Sequence, residues 1–266
     1  MNTCKRLGLA LLSTMAMTSA AQAGVLPFWA TDGWTQLVTP EYPSDGTPED
    51  YVGGSGFVNP GYGGQAFDAE YLFYKQVGSV LYLGLQTGFD VIDGHYATGG
   101  RNYYAGDLAL SFDGNVTLGD GATYEYGVDF GLLTKDYDGE TPVDTGSGTG
   151  IDPAGLYRVT AWNSDLVNAY EPYSRPFAID AGTKVANLSS NNSGSGVVGG
   201  DTSYYRWVAF DMTGLGLGNS VGVHWTMSCG NDNINGGFNV PEPASVALLG
   251  MGLIGMGLAR RRKLPA

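Results

Sequence analysis

Short runs in which apolar and polar residues alternate are the feature that most restricts what this chain folds into. In each run apolar residues recur at every second position, which gives the segment one mainly apolar face. This two-residue period is that of a half-buried β-strand. The runs are VLYLGLQT (80–87), DLALSFD (107–113), TYEYGVDF (123–130), LYRVTAW (156–162), YYRWVAFDM (204–212) and SVGVHWTM (220–227).

The composition agrees with an all-β domain. The chain has 43 glycines, 17 tyrosines, 10 phenylalanines and 5 tryptophans, residues that favour strands and turns over helices. No amphipathic helical pattern of ten or more residues occurs between the two termini. Seven or more short strands in about 220 residues predict an antiparallel β-sandwich with a jelly-roll-like topology.

Three segments are predicted to lie outside the sandwich core. Residues 136–153 and 187–201 are rich in Gly, Ser, Asn and Asp, a composition typical of exposed loops. Residues 24–64 are predicted to be mostly loop, with aromatic residues such as Trp29 and Trp34 covering an edge of the core. In the run at 123–130, Tyr124, Tyr126, Val128 and Phe130 are predicted to share one face, opposite Glu125 and Asp129.

The N-terminus has the pattern of a secretory signal peptide. Two cationic residues precede an apolar run at 7–17, and small residues follow, ending in Ala21, Gln22 and Ala23. Alanines at the first and third of these positions form a signal-peptidase cleavage site. The mature chain is therefore predicted to begin at Gly24, after export through the secretion translocon.

The C-terminus combines a short apolar segment with a cationic end. Ala244 to Ala259 is an uncharged run of sixteen residues, which as a helix covers about 24 Å. A hydrocarbon core is about 30 Å thick, so the segment predicts a short, transient anchor in the inner membrane. The cationic residues after it keep that end in the cytoplasm by the positive-inside rule, and they are Arg260, Arg261, Arg262 and Lys263.

Together with Pro241, Glu242 and Pro243, this tail resembles the PEP-CTERM sorting tail of Gram-negative bacteria. The resemblance implies that exosortase, a membrane-embedded protease, cleaves near Pro-Glu-Pro and passes the protein to the cell surface or extracellular matrix. The body, with VHWTMSCGNDNI at 223–234, is similar to uncharacterised PEP-CTERM ectodomains, which supply no activity. The predicted parts are a signal peptide at 1–23, an extracellular domain at 24–239 and a sorting tail at 240–266.

Net charge excludes one class of partner. Removal of both terminal signals takes away six of the 13 cationic residues and leaves 7 against 26 acidic ones, a net charge of −19. A surface this acidic repels the phosphates of nucleic acid and of anionic lipid. DNA and RNA are therefore not expected as partners.

Catalytic patterns are weak in this sequence. Residues 218–222 match G-x-S-x-G around Ser220, but a strand follows the serine where a nucleophile elbow needs a helix. The predicted mature chain contains two histidines, His95 and His224, and one cysteine, Cys229. We expect His224 to be a hydrogen-bonded strand residue and Cys229 a small buried side chain, so the protein is predicted not to be an enzyme.

A carbohydrate-active hydrolase is the alternative. Glycoside hydrolysis needs two carboxyl groups that converge in space, and Glu125 with Asp129 or Glu70 supplies such a pair in principle.

Calcium is the expected cofactor if there is one, because it binds clustered oxygen ligands on loops. Neither cluster matches an EF-hand, and the alternative is that these residues form solvated turns. The two clusters are Asp136, Asp138 and Glu140, and Asp113, Asn115 and Asp120.

The sequence thus predicts a secreted surface or matrix protein with a structural or adhesive role. Extracellular polysaccharide is one candidate partner, and calcium-dependent self-association is another possibility. Aromatic rings stack on the apolar face of a sugar, although rings in a sandwich more often pack in the core. The rings considered for a sugar surface are Tyr103, Tyr104, Trp162, Tyr170 and Tyr173.

Overall fold

The fold is built from antiparallel β-strands. The computed structural model describes residues 24–37, 63–117, 119–132, 153–164, 166 and 174–240. Within these ranges there is no α-helix, and the helical segments are three short 3-10 turns at Pro27–Ala30, Gln65–Phe67 and Gly121–Thr123. The all-β prediction is confirmed.

Thirteen strands are present in the described ranges. They are β1 (Thr35–Gln36), β2 (Ala69–Val77), β3 (Val80–Thr87), β4 (His95–Thr98), β5 (Arg101–Tyr104), β6 (Leu108–Ser111), β7 (Tyr126–Asp129), β8 (Gly155–Asn163), β9 (Ala178–Ala186), β10 (Ser190–Val198), β11 (Asp201–Asp211), β12 (Ser220–Thr226) and β13 (Asn233–Asn239). A five-stranded sheet has the order β1-β2-β3-β11-β10, and a six-stranded sheet has the order β13-β12-β6-β7-β8-β9. Strands β4 and β5 form a separate hairpin.

The two large sheets pack face to face around one apolar core. Alternate residues of β3, among them Leu81 and Leu85, meet alternate residues of β12, among them Val223 and Trp225, in a single buried cluster. Each of these strands therefore has an inner face in the core and an outer face directed away from the partner sheet. This confirms the alternation read from the sequence. A jelly-roll arrangement stays a prediction.

The prediction of a loop at 187–201 is wrong, because most of this segment forms strand β10. This strand pairs with β11 along its whole length, from Ser190 opposite Ala209 to Val198 opposite Asp201. It lies at the edge of its sheet, where main-chain pairing on one side stabilises a strand that has few apolar side chains. Gly199 and Gly200, both with positive φ, form the hairpin turn. A Gly-Gly dipeptide between two strands predicts such a turn, although the composition of the segment indicated a loop.

Tyr124 departs from the predicted face of β7. Val128 and Phe130 are buried in the shared core as expected, and Tyr126 packs against it. Tyr124 follows the 3-10 turn instead, which interrupts the alternation. Its ring lies 5.7 Å from the His224 ring, between centroids, on the outer face of the six-stranded sheet.

Several predicted features lie outside the described residues. They are the signal cleavage site at Ala21 and Ala23, the sorting residues Pro241, Glu242, Pro243, Arg260, Arg261 and Arg262, the apolar segment 244–259, and nearly all of the predicted loop 136–153. Among the residues that are described, no helix is long and apolar enough to cross a membrane.

Candidate functional site

The N-terminal segment 24–37 lies on the outer face of the five-stranded sheet. Trp29 is 3% exposed, and its ring stacks on Phe73 of β2 with 4.2 Å between centroids. Gly84 of β3 makes this possible, because a Cβ atom there would lie 2.5 Å from the Trp29 ring. The sequence predicted that these aromatic residues cover an edge of the core, whereas they pack on the outer face of a sheet.

Half-buried rings surround Trp29 and form a surface that we call the aromatic face. Trp34 is at its centre, with its ring centroid 6.3 Å from that of Tyr82 and 6.0 Å from that of Trp207. Phe28 and Tyr205 stack beside them at 4.6 Å. The half-buried members are Phe28, Trp34, Tyr82, Tyr205 and Trp207. Each of these residues is therefore partly exposed to solvent.

A cation lies over the aromatic face. The Nζ atom of Lys75 is 4.8 Å from the ring centroid of Trp34 and 4.8 Å from that of Tyr82. Attraction between the ammonium and the two rings holds the lysine stem across the surface. The face therefore combines flat apolar rings with a hydrogen-bond donor, the two features that recognise a sugar.

The sequence singled out other rings for this role. Tyr103 packs edge-on against Phe67 at 5.1 Å, Tyr104 is buried, and the Trp162 Nε1–H donates to the Tyr124 carbonyl at 3.0 Å. Tyr170 and Tyr173 lie outside the described residues. The aromatic face was not predicted from the sequence. The run YYRWVAFDM at 204–212 indicates it, because this strand has large residues on both faces.

Two adjoining depressions meet at Ser220, and we call them together the Ser220 groove. One has a volume of about 460 Å³ and is lined by Val116, Tyr124 and the glycines Gly222 and Gly237, among other residues. The other has a volume of about 390 Å³ and contains Asp113, Glu125 and Arg158 in its lining. The groove lies beside the start of β12.

Two carboxylates come together in the Ser220 groove. The Ser111 hydroxyl donates to Asp113 Oδ1 at 3.0 Å and to Glu125 Oε1 at 3.5 Å. Hydrogen bonds, first from the Asn115 backbone N–H and then from Ser111, lower the pKa of the Asp113 carboxyl below its ordinary value. Asp113 is therefore an anion at neutral pH.

The carboxylate pairs proposed from the sequence do not form. Glu70 belongs to β2 of the five-stranded sheet, and its hydrogen bonds to Gln86 and Ser203 place it on the outer face there. Glu125 lies on the other side of the sandwich, beyond sheets that pack about 10 Å apart. Asp129 is buried and does not line the groove. Asp113 takes the place of both as the neighbour of Glu125.

The residues of the calcium cluster at 113–120 are used in local turns. Asp113 Oδ1 accepts from the Asn115 N–H at 2.8 Å, and Asp120 Oδ1 accepts from the Ala122 N–H at 3.0 Å. Among the described residues, no group of three or more His, Cys, Asp or Glu side chains is arranged to hold a metal. Asp136, Asp138 and Glu140 lie outside those residues. Calcium binding stays a prediction.

His224 and Cys229 are buried, as predicted, and Ser220 lacks the context of a nucleophile. His224 is fully buried between Asn235 Oδ1 at 2.8 Å and the Pro176 carbonyl at 3.0 Å, and burial lowers its pKa to about 4. Burial raises the pKa of the Cys229 thiol to about 12, so the thiolate does not form at neutral pH. Ser220 begins a strand and so lacks the context of a nucleophile elbow.

Comparison with known proteins identifies the end of the chain. Residues 239–263 match the PEP-CTERM protein-sorting motif, which confirms the resemblance read from the sequence. The motif implies that exosortase processes the protein and that it is exported and sorted to the cell surface or beyond. No curated protein and no solved structure matches the chain.

Proposed function

We propose that this exosortase-sorted protein is a non-enzymatic surface or matrix component that binds uncharged polysaccharide through the aromatic face. The observation that carries the proposal is the cluster of half-buried rings around Trp34, with Lys75 held across two of them. Rings arranged on a β-sheet present flat apolar area without a large loss of side-chain entropy on binding.

The charge of the protein favours a neutral polymer over an acidic one. The mature chain carries a net charge of −19, so an anionic polysaccharide is repelled at long range. Lys75 supplies one donor that is held at the binding surface. A long neutral polymer also contacts many copies of a surface protein, which raises the strength of retention without strong individual sites.

Retention by immobilised neutral polysaccharide tests this function. We expect Trp34→Ala and Trp207→Ala each to weaken retention of the full chain, in detergent, by about tenfold, which corresponds to about 1.4 kcal/mol. Trp162→Ala is the matched control, because Trp162 is also half-buried but lies on the other sheet. Equal retention of all four proteins, wild type included, contradicts the proposal.

Hydrolysis is the second function that a specific observation favours. Asp113 and Glu125 both contact the Ser111 hydroxyl in a groove, and glycoside hydrolysis needs two carboxyl groups that converge in space. Reducing-end release from the same polysaccharides separates the two functions. If product forms and Glu125→Gln abolishes it while Asp211→Asn does not, the protein is a hydrolase, whereas retention without product supports binding.

The route to the surface is part of the proposal. The signal peptide is removed after Ala23, the segment 244–259 anchors the chain in the inner membrane for a time, and exosortase then cleaves near Pro-Glu-Pro. Intact-mass measurement of the released protein tests each step. Release from cells with exosortase, and retention in membranes of cells without it, is the expected result.

A further inference from the structure

A buried carboxylate lies beside the first residue of the predicted mature chain. Glu70 occupies a β-bulge, where the register of β2 against β3 shifts between Ala69 and Tyr71. Such a bulge changes the direction of a side chain, and here it directs Glu70 to the outer face. The side chain is 0% exposed, so its charge has no direct contact with solvent.

Three hydrogen bonds to Glu70 come from neutral groups. Oε1 accepts from Gln65 Nε2 at 2.7 Å and from Ser203 Oγ at 2.7 Å, whereas Oε2 accepts from Gln86 Nε2 at 2.6 Å. A carboxylate has about four acceptor positions. The remaining position is on Oε2, the oxygen that Gln86 contacts.

The surroundings of Glu70 provide hydrogen bonds but no balancing charge. Burial, as the largest effect, raises its pKa to about 7, and the one charged group that contributes is another acid, Asp201, which raises the pKa further. The neighbouring Gln65 Oε1 is buried and accepts no hydrogen bond from the described residues. One hydrogen-bonded cluster therefore contains both an unsatisfied amide oxygen and a carboxylate oxygen with a remaining acceptor position, and buried charges in proteins are normally paired.

Gln86 connects this carboxylate to Gly24. Its Nε2 atom donates to the Gly24 carbonyl at 3.0 Å as well as to Glu70, and its Oε1 atom accepts from the Leu26 N–H at 2.9 Å. One amide thus holds both the start of the N-terminal segment and the buried acid. The Gly24 nitrogen is at most about 3.6 Å from its own carbonyl oxygen, as bond lengths require.

We propose that Glu70 and Gln65 form a binding site for the chain's own α-ammonium group, which is created at Gly24 when the signal peptide is removed. Signal peptidase adds water across the Ala23–Gly24 amide bond, which leaves a carboxylate on Ala23 and an ammonium on Gly24. Before cleavage that nitrogen is a neutral amide with one N–H. After cleavage it carries a positive charge and three N–H donors, and it rotates toward Glu70 Oε2 and Gln65 Oε1.

The pair links export to completion of the fold. The N-terminal segment that begins at Gly24 carries Trp29 and Trp34 onto the five-stranded sheet. An ion pair at its first residue holds the segment at that end, so we expect the N-terminal segment to be bound more tightly to the sheet in the processed protein.

An N-terminal extension tests the site. The inserted dipeptide Ala-Ser between Ala23 and Gly24 leaves signal cleavage after Ala23 intact but moves the ammonium two residues away. We compare the processed chains, each running to Ala266 in detergent, after N-terminal sequencing has located the first residue. Near pH 7.5 we expect the extension to lower the melting temperature by about 4 °C or more.

Two backgrounds separate the charge pair from the fit of the segment. In Glu70→Gln the extension should shift the melting temperature by less than about 1 °C, since the partner carboxylate is gone. In Asp129→Asn, which removes a buried acid from the other sheet, the extension should keep its full effect. An equal shift in Glu70→Gln, no shift in the otherwise wild-type chain, or a first residue other than Gly24 overturns the proposal.

A titration supplies a readout that does not depend on stability. The pH dependence of α-amine acetylation in the native protein gives the pKa of the Gly24 ammonium. We expect this pKa to lie above the ordinary value of about 8 in the wild-type chain and to return to it in Glu70→Gln. Identical α-amine titrations in the two proteins also overturn the proposal.

Discussion

The outer face of the five-stranded sheet is covered mainly by aromatic rings, apart from the buried Glu70 and its hydrogen-bond partners, whereas the outer face of the six-stranded sheet has a buried, hydrogen-bonded histidine beside the Tyr124 ring. On the first face Trp29 lies flat against Phe73 above Gly84. On the second, His224 is held by Asn235 and by the Pro176 carbonyl. Both faces are closed to water at their centres by chain segments outside the strands.

The difference shows two ways to cover the same kind of surface. Rings stabilise through the apolar area that they bury and through stacked or edge-to-face contacts with one another. A polar network stabilises only if every donor and acceptor keeps its partner. The aromatic face therefore keeps rings half-buried at its surface, whereas the buried His224 on the other sheet is held between two hydrogen-bond partners.

The largest effect on the free energy of unfolding is expected from removal of the buried Trp29 ring. Trp29→Ala should reduce the free energy of unfolding by about 3–5 kcal/mol, because it leaves a cavity between the N-terminal segment and β2. Urea denaturation measures this. Trp34→Ala, which removes a half-buried ring of the same type, should cost clearly less. Equal losses would show that the face has no buried centre.

The two faces should respond to pH in opposite directions. Unfolded histidine binds a proton near pH 6.5, whereas folded His224 does so near pH 4. The unfolded state therefore binds more protons between these values, and stability falls by about 3 kcal/mol as pH falls through that range. Urea denaturation from pH 7 to 4 measures the slope.

The control for this pH response is the other mature histidine. His95 is exposed on β4, so His95→Gln should leave the acidic loss of stability in place, whereas His224→Gln should remove most of it. For Glu70 the sign is reversed: its raised pKa means that stability is lost as pH rises from about 4.5 to about 7, unless an ammonium is paired with it. A loss of equal slope in both histidine variants would exclude His224 as its source.

Glycines beneath the two faces offer a closer comparison. A Cβ atom at Gly84 would lie 2.5 Å from the Trp29 ring, and one at Gly127 would lie 2.7 Å from the Trp162 ring. Each alanine substitution should cost about 1–3 kcal/mol by overpacking. Gly84→Ala should cost more, because its Cβ would overlap two atoms of the buried Trp29 ring at 2.5 Å, whereas at Gly127 the nearest atoms, of Trp162 and Ile179, lie at 2.7 and 2.8 Å. Thermal unfolding of both variants checks the order, and the reverse order would contradict the proposed packing.

The smallest effect is expected at Lys75. Replacement by Met keeps most of the apolar stem and removes the ammonium from above Trp34 and Tyr82, which should cost about 0.5–1 kcal/mol. Polysaccharide retention should fall at the same time if the ammonium donates to the ligand. Unchanged stability and retention would show that the cation has neither role.

Much of the fold could be predicted from the sequence because the alternation of apolar residues reports a local property. Strand β3 was predicted with its correct ends, and the inner faces of β6, β11 and β12 followed from the same period. Strand β10 could not be found in this way, since an edge strand is stabilised by pairing with β11 rather than by its own side chains.

For the candidate site, the sequence predicted the type of side chain but not which residues form the surface. Sugar-binding rings were expected, but the rings selected from the sequence, such as Tyr104 and Trp162, pack within the fold. Those of the aromatic face come from β3, β11 and a segment more than 40 residues before β3. Their meeting depends on sheet order, which no local pattern contains.

The sequence by itself determined the strand class, the acidic charge and the sorting motif at 239–263, because each of these depends on residues that are close together in the chain. The tertiary structure alone decided that Glu125 neighbours Asp113 and not Glu70, and that Gln86 joins Glu70 to Gly24. These contacts cross between distant segments, and the physical reason is that burial and strand pairing, rather than position in the chain, choose the partners of a polar group.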